Sequence, residues 1–199
     1  MTRAPDEAFA ALRALEAALG RAPVAAVLSG SAVAGGLRRL SDIDLLVVVE
    51  EAPAPHPDLA IALAQARAIG VALLGPPPRE LLDPVPEADL RRALRDVLPA
   101  LLADLRGDER NVLLTLARMW HTAATGAFAP KDAAAAWAAA RLPTRLATWL
   151  ELAGRAYVGE IEDDWRSHRG RAAELAERLR WQVERACGAL GDGGTVWSG

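Results

Sequence analysis

The sequence predicts an α+β fold, with a small α/β domain at the start of the chain and an all-α helical bundle after it. Two short apolar runs, at 23–28 and 42–49, indicate strands in the first part. After Pro86 the apolar residues follow helical spacing up to about residue 190. The 199 residues are 52% hydrophobic, which is enough to bury a core.

These patterns divide the chain into domains at 1–85 and 86–191, with a tail at 192–199. The first domain opens with an amphipathic helix in which Pro5 suits the first turn and Gly20 ends the helix. The run at 42–49 is apolar after its aspartates, so we expect a strand covered on both faces. Helices are predicted at 5–19, 58–69, 87–105, 108–125, 130–140, 144–157 and 171–190, and a third strand at 71–75.

Composition argues against several classes of protein. The net charge of −3, without a basic patch, argues against a nucleic-acid partner. No apolar run reaches the ~20 residues of a membrane helix. The acidic, amphipathic first residues differ from a secretory signal, so we expect a cytoplasmic protein. The single Cys187 excludes an intramolecular disulfide.

Gly30 and Ser31 follow the first strand, where a glycine permits close backbone approach and a serine adds a hydroxyl donor for phosphate oxygens. Asp42 and Asp44 alternate with Ile43, which places both carboxylates on one strand face with Cα atoms about 6.6 Å apart. Such a pair can share Mg²⁺ ions that clamp a triphosphate. The alternative, in which the aspartates are turn or strand-start residues, is disfavoured because an aspartate inside an apolar strand loses solvation.

Four stretches together resemble the aminoglycoside 3''-adenylyltransferase family of the nucleotidyltransferase superfamily. The first, "GSAVAGGLRRLSDIDLLVVV", is similar to the superfamily motif of glycine-serine followed by Asp-x-Asp. The others are "VALLGPPPRELLDPVPEADL", "GDERNVLLTLARMWHTAATGAFAPKDAAAAWAAARLP" and "ELAGRAYVGEIEDD". The resemblance implies a shortened nucleotidyltransferase domain, a helical substrate-binding domain, and transfer of AMP from ATP to streptomycin or spectinomycin.

The resemblance also implies residue roles in nucleotide binding. Gly30 and Ser31 would hold the ATP phosphates, and Asp42 and Asp44 would be the catalytic ligands of Mg²⁺. Lys131 matches a lysine that contacts those phosphates from the helical domain, although an ordinary solvated lysine is the alternative.

Further matches concern the cleft between the domains. Arg118 matches a position near ATP, although an arginine in a bundle helix could equally pair with a carboxylate. Asp104, Asp108 and Asn111 match positions that present acceptors to the polycationic drug. Asp108 is also a good helix N-cap, and the sequence does not decide between these roles. The tryptophans Trp120, Trp137 and Trp149 fit helical core spacing, so we expect them to pack the bundle.

The sequence departs from the family at "EEAPAPHP", which replaces a long segment containing the third acidic residue, the general base. Glu50 and Glu51 would lie roughly 20 Å from Asp44 along the strand. Asp58 could reach the site only if the proline-rich break folds back. Since loss of a positioned base costs about 10²- to 10⁴-fold in rate, we expect a weak or inactive catalyst unless another group replaces it.

Three functions follow from these patterns. The first is an adenylyltransferase with ATP, Mg²⁺ and an aminoglycoside or aminocyclitol as small-molecule partners. The second is an inactive relative that binds nucleotide or drug, and the third is a minimal-nucleotidyltransferase antitoxin. A missing strand would expose a sheet edge, so a homodimer is a candidate way to complete the sheet.

Overall fold

The computed structural model describes residues 6–19, 23–29, 33, 44–48 and 58–188. Eight helices and three strands lie within these ranges. In chain order they are α1 (Asp6–Leu19), β1 (Ala25–Ser29), β2 (Asp44–Val48), α2 (Leu59–Ile69), β3 (Val71–Leu74), α3 (Pro78–Leu81), α4 (Glu87–Ala103), α5 (Glu109–Thr125), α6 (Lys131–Ala139), α7 (Thr144–Tyr157) and α8 (Arg169–Ala186).

The three strands form one antiparallel sheet in the order β2-β1-β3. All five residues of the central strand β1 are buried, as expected for a short core strand. In β2, residues 45–48 are only partly buried, so the prediction of a strand covered on both faces is wrong for the described residues. The apolar pattern identified a strand, but it could not show which elements flank that strand.

A close approach at Gly70 joins α2 to the sheet. A Cβ atom at this position would lie 2.3 Å from the Ala66 carbonyl oxygen and 2.6 Å from Cγ1 of Val27. Only glycine avoids these overlaps, because it has no Cβ. The chain therefore passes directly from the end of α2 into β3, and α2 packs against β1 and β2.

Helix α5 is the centre of the helical bundle. Its residues Val112, Leu113, Leu114 and Leu116 have no exposed surface. They face α8, α6, α7 and α4, all of which contact α5. A helix that is apolar on nearly every side must be surrounded by other elements, which explains its central position.

The large core belongs to the bundle and extends into α2. Ile61 and Ala64 of α2 pack against the bundle cluster. By contrast, α1 and the sheet share a small separate cluster whose buried members are Ala8 and Leu28. Helix α2, which lies between β2 and β3 in sequence, is therefore packed between the sheet and the bundle.

Most predicted helices and strands are present, with changes at their ends. The predicted helix 171–190 is found as α8, which begins at Arg169 and ends at Ala186. The predicted helix 87–105 ends at Ala103. The short helix α3 was not predicted, because four residues are too few for a periodic pattern.

Among the described residues, none of the helices combines the length and the apolar character that crossing a membrane requires.

Candidate functional site

Asp44 is the first residue of β2 and pairs with Ser29, the last residue of β1. The Ser29 hydroxyl donates a hydrogen bond of 3.4 Å to the Asp44 carbonyl oxygen. The Asp44 residue is exposed, whereas the rest of β2 is partly buried. The antiparallel register thus presents the Asp44 carboxylate at the end of β1 from which the chain continues to Gly30. Gly30, Ser31 and Asp42 lie outside the described residues.

Arg118 extends from α5 toward this end of the sheet. Its Nη2 donates a 3.2 Å hydrogen bond to Oε1 of Gln65 on α2. Burial lowers the pKa of the Arg118 guanidinium, whereas the negative charge of Asp44 acts in the opposite direction and raises it. This hydrogen bond goes to a neutral amide, and both roles that the sequence leaves open for Arg118, nucleotide binding and pairing with a carboxylate, stay predictions.

Lys131, the first residue of α6, is joined to two predicted drug ligands. Its Nζ donates a hydrogen bond to Oδ1 of Asn111. Nδ2 of Asn111 in turn donates a 3.0 Å hydrogen bond to Oδ2 of Asp108. Lys131 is partly buried, so it is not an ordinary solvated lysine. Two consecutive hydrogen bonds therefore link Lys131, which is predicted to bind nucleotide, to Asn111 and Asp108, which are predicted to bind the drug.

Tyr157, at the end of α7, is a candidate site residue that the sequence did not reveal. The Lys131 Nζ atom lies 5.7 Å from the centroid of its ring. Tyr157 is 2% exposed, and its helical spacing is that of a core residue. The one available signal was that it is the only tyrosine in the chain.

A groove of about 390 Å³ lies between α2, α4 and α5. Asp104 and Arg118 both line it, so the structure brings together a predicted drug ligand and a predicted nucleotide ligand. Asp58, Gln65 and Asp96 line it as well. The remaining wall is largely apolar, with Leu94, Leu101, Met119 and Phe128 among its residues.

Asp108 occupies the N-cap position of α5, but its side chain makes no capping hydrogen bond. Its carboxylate instead accepts the hydrogen bond from Asn111. The sequence does not decide between the roles of cap and ligand for Asp108. In the structure its side chain makes no capping hydrogen bond, so capping does not explain an aspartate at this position.

The tryptophans pack the bundle, as predicted. Trp120 is buried, and Trp137 and Trp149 pack against the same cluster. The Trp120 and Trp137 rings meet edge to face with centroids 5.0 Å apart, which is a favourable aromatic geometry. These side chains stabilise the helices that present the polar residues.

The arrangement has two chemical halves. Arg118 and Lys131 offer cationic donors suited to phosphate oxygens. Asp58, Asp104 and Asp108 offer exposed carboxylates, which suit ammonium groups. Within the described ranges, no group of three or more histidine, cysteine, aspartate or glutamate side chains could hold a metal ion.

Two family models match the chain. The model described as "Nucleotidyltransferase domain" matches residues 11–99, and the model described as "Aminoglycoside adenylyltransferase, C-terminal domain" matches residues 80–182. Together they cover the α/β part and the bundle.

Curated relatives agree with these matches. A spectinomycin 9-adenylyltransferase of Staphylococcus aureus is 32% identical over 247 aligned positions, which include 90% of this chain and 95% of the relative. Since this chain has 199 residues, at least 48 of those positions have no counterpart in it. An aminoglycoside (3'') (9) adenylyltransferase of Escherichia coli is 42% identical over 147 residues, covering 73% of this chain and 56% of the relative.

A solved structure shows the same fold. It is the crystal structure of spectinomycin adenyltransferase AAD(9) from Enterococcus faecialis with ATP and spectinomycin. It matches with a TM-score of 0.79 and 24% sequence identity, covering 89% of this chain and 98% of that one. From the family models and the relatives, the chain belongs to the aminoglycoside adenylyltransferase family.

Proposed function

We propose that this protein transfers AMP from ATP to a hydroxyl group of an aminoglycoside or aminocyclitol, with spectinomycin and streptomycin as the first candidates. The observation that carries the proposal is the position of Arg118. It lines the same groove as Asp104, and the charge of Asp44 partly offsets the lowering of the Arg118 pKa by burial. Groups suited to a nucleotide and to a cationic drug therefore meet at one place.

The nucleotide half combines residues from both parts of the chain. Arg118 and Lys131 bind phosphate oxygens from the helical side. Gly30, Ser31, Asp42 and Asp44 act from the sheet side, where the two aspartates hold Mg²⁺. The described carboxylate of this pair, Asp44, is exposed at a strand start, which suits a hydrated ion. The ion supplies charge neutralisation of the triphosphate when it is bound.

The drug half consists of Asp104, Asp108 and Asn111. The carboxylates supply charge-assisted hydrogen bonds to ammonium groups of the substrate. Asn111 links this half to the nucleotide half, because it accepts a hydrogen bond from Lys131 and donates one to Asp108.

A second candidate function is binding of ATP or drug without transfer. It is favoured by the alignment with the Staphylococcus aureus relative, in which at least 48 positions lack a counterpart in this chain. If the general base is among these positions, binding could persist while the rate of transfer falls.

The test is incubation of the purified protein with Mg-ATP and spectinomycin or streptomycin, with measurement of drug-AMP and pyrophosphate. The Asp44→Asn variant removes a proposed Mg²⁺ ligand and should abolish transfer. The matched control is Asp83→Asn, since Asp83 is an exposed loop residue outside the groove.

The outcomes separate the two functions. Transfer by the wild type that is lost in Asp44→Asn and retained in Asp83→Asn supports the enzyme. Saturable ATP binding without transfer supports the binding function. Neither binding nor transfer would show that both proposals are wrong.

A further inference from the structure

The hydrogen bond between Gln65 and Arg118 connects two distant parts of the chain. Gln65 lies on α2, which packs against β1 and β2, whereas Arg118 lies on the central helix α5. The residues are 53 positions apart, and the bond of 3.2 Å lies in a partly buried region. Both side chains also line the groove.

A partly buried guanidinium needs hydrogen-bond acceptors to fix its direction, because it has five donors and a long, flexible stem. Oε1 of Gln65 is an acceptor from the sheet side of the groove. It accepts from one of the five N–H donors of the guanidinium. The direction of Arg118 is therefore set by a residue of the neighbouring helix α2.

The neutrality of Gln65 is the second part of the argument. A carboxylate at this position would form a charge-assisted pair with Arg118 and offset its positive charge. An amide orients the guanidinium while leaving that charge available to an anion. The Asp44 carboxylate, at the sheet end where phosphates are proposed to bind, partly offsets the lowering of the Arg118 pKa by burial.

We infer that Gln65 is a positioning residue for nucleotide binding, which holds Arg118 toward the phosphates across the two parts of the chain without neutralising it. This inference rests on the proposed function, since it assigns Arg118 to the ATP phosphates. Gln65 itself need not touch the nucleotide.

The test is the affinity for Mg-ATP, measured by calorimetry for the wild type and for Gln65→Ala and Gln65→Glu. Gln65→Ala removes one orienting hydrogen bond and should weaken binding about three- to tenfold. Gln65→Glu should weaken it more, by about tenfold or greater, because the new carboxylate competes with phosphate for Arg118. Thermal unfolding of each variant checks that it is folded.

Two controls separate positioning from a structural effect. Gln182→Glu makes the same chemical change on α8, outside the groove, and should leave ATP affinity unchanged. In an Arg118→Ala background, Gln65→Glu should cause no further loss, because the two changes act through one interaction. A purely structural role for Gln65 would give a loss that persists without Arg118.

Failure of the inference differs from failure of the proposed function. Wild-type affinity in both Gln65 variants, or an undiminished Gln65→Glu effect in the Arg118→Ala background, overturns this inference alone. A wild-type protein that binds no ATP overturns the proposed function together with the inference.

Discussion

At the scale of single residues, Asp58 is a candidate for the general base that the proposed transfer requires. It precedes α2 and lines the groove that also contains Arg118 and Asp104. It thus lies in the same groove as a candidate nucleotide ligand and a candidate drug ligand. A carboxylate in such a place can accept the proton of the attacking hydroxyl.

If the protein transfers AMP, Asp58→Asn should lower kcat by about 10²- to 10⁴-fold, because a general base contributes that much. ATP affinity should remain near the wild-type value. The measurement is steady-state kinetics of drug-AMP formation, and Asp58→Glu should restore part of the rate. Asp96→Asn is the matched control, since Asp96 lines the same groove from α4. A wild-type kcat in Asp58→Asn would exclude Asp58 as the base.

The sequence predicts candidate site residues, but it cannot predict which side chains they contact. Lys131, Asn111 and Asp108 were named as ligands for two different molecules, and the structure joins them by hydrogen bonds. Gln65 and Tyr157 were not named, because their contacts depend on how α2, α6 and α7 pack. For Asp58 the sequence gives only a conditional prediction. The proline-rich segment before it has no periodic pattern, so the sequence does not show in which direction the chain runs there.

At the level of elements, α5 joins the core to the site. Its buried leucines fix the helix, and Arg118 and Asn111 extend from that fixed position. The sequence predicted this helix within one residue, because helical apolar spacing and Gly126 mark its length and its end. Gly126 caps α5 in the left-handed region, with φ of 72°.

Gly126→Ala should destabilise the protein by about 1–2 kcal/mol, because a side chain in the left-handed region clashes with its own backbone. Apart from the adjoining residues, no atom of the part of the chain that the structure describes lies within 4 Å of the added Cβ, so the cost is one of backbone conformation. Gly154→Ala within α7 is the matched control. Its Cβ would meet Ala135 at an ordinary 3.8 Å, and alanine favours the helix by up to about 1 kcal/mol. Chemical denaturation measures both, and equal shifts for the two variants would contradict this account.

The whole molecule has an uneven core. Among the described residues, the bundle and α2 share a large cluster, whereas the cluster between α1 and the sheet has Ala8 and Leu28 as its buried members. The strands were predictable as apolar runs, but the partial exposure of β2 and β3 was not, because burial depends on neighbouring elements. The proposed domain boundary at residue 85 places the smaller cluster, between α1 and the sheet, in the first domain.

Hydrogen exchange should show this difference directly. Amides of α5 should exchange most slowly, and those of α1 and of the partly exposed strands β2 and β3 much faster, because regions with few buried contacts open at lower free energy. Mass spectrometry of peptides after exchange measures both regions in one sample. Amides of β2 and β3 that exchange as slowly as those of α5 would contradict the uneven core.

The same experiment tests the proposed homodimer. Within the described sheet, β2 is an edge strand with partly exposed apolar residues, and edges of this kind can pair with another chain. If a second copy completes the sheet, protection of the β2 amides should increase with protein concentration. Protection that does not depend on concentration would exclude pairing along this edge.

The contact between Lys131 and Tyr157 makes the protein unusually accessible to spectroscopy. The chain contains one lysine and one tyrosine, and they meet with Nζ 5.7 Å from the ring centroid. Isotope labelling of either amino acid therefore yields an NMR spectrum with a single side-chain environment. Any nucleotide or drug that reaches this place must shift that one signal, so binding can be followed without engineering a probe.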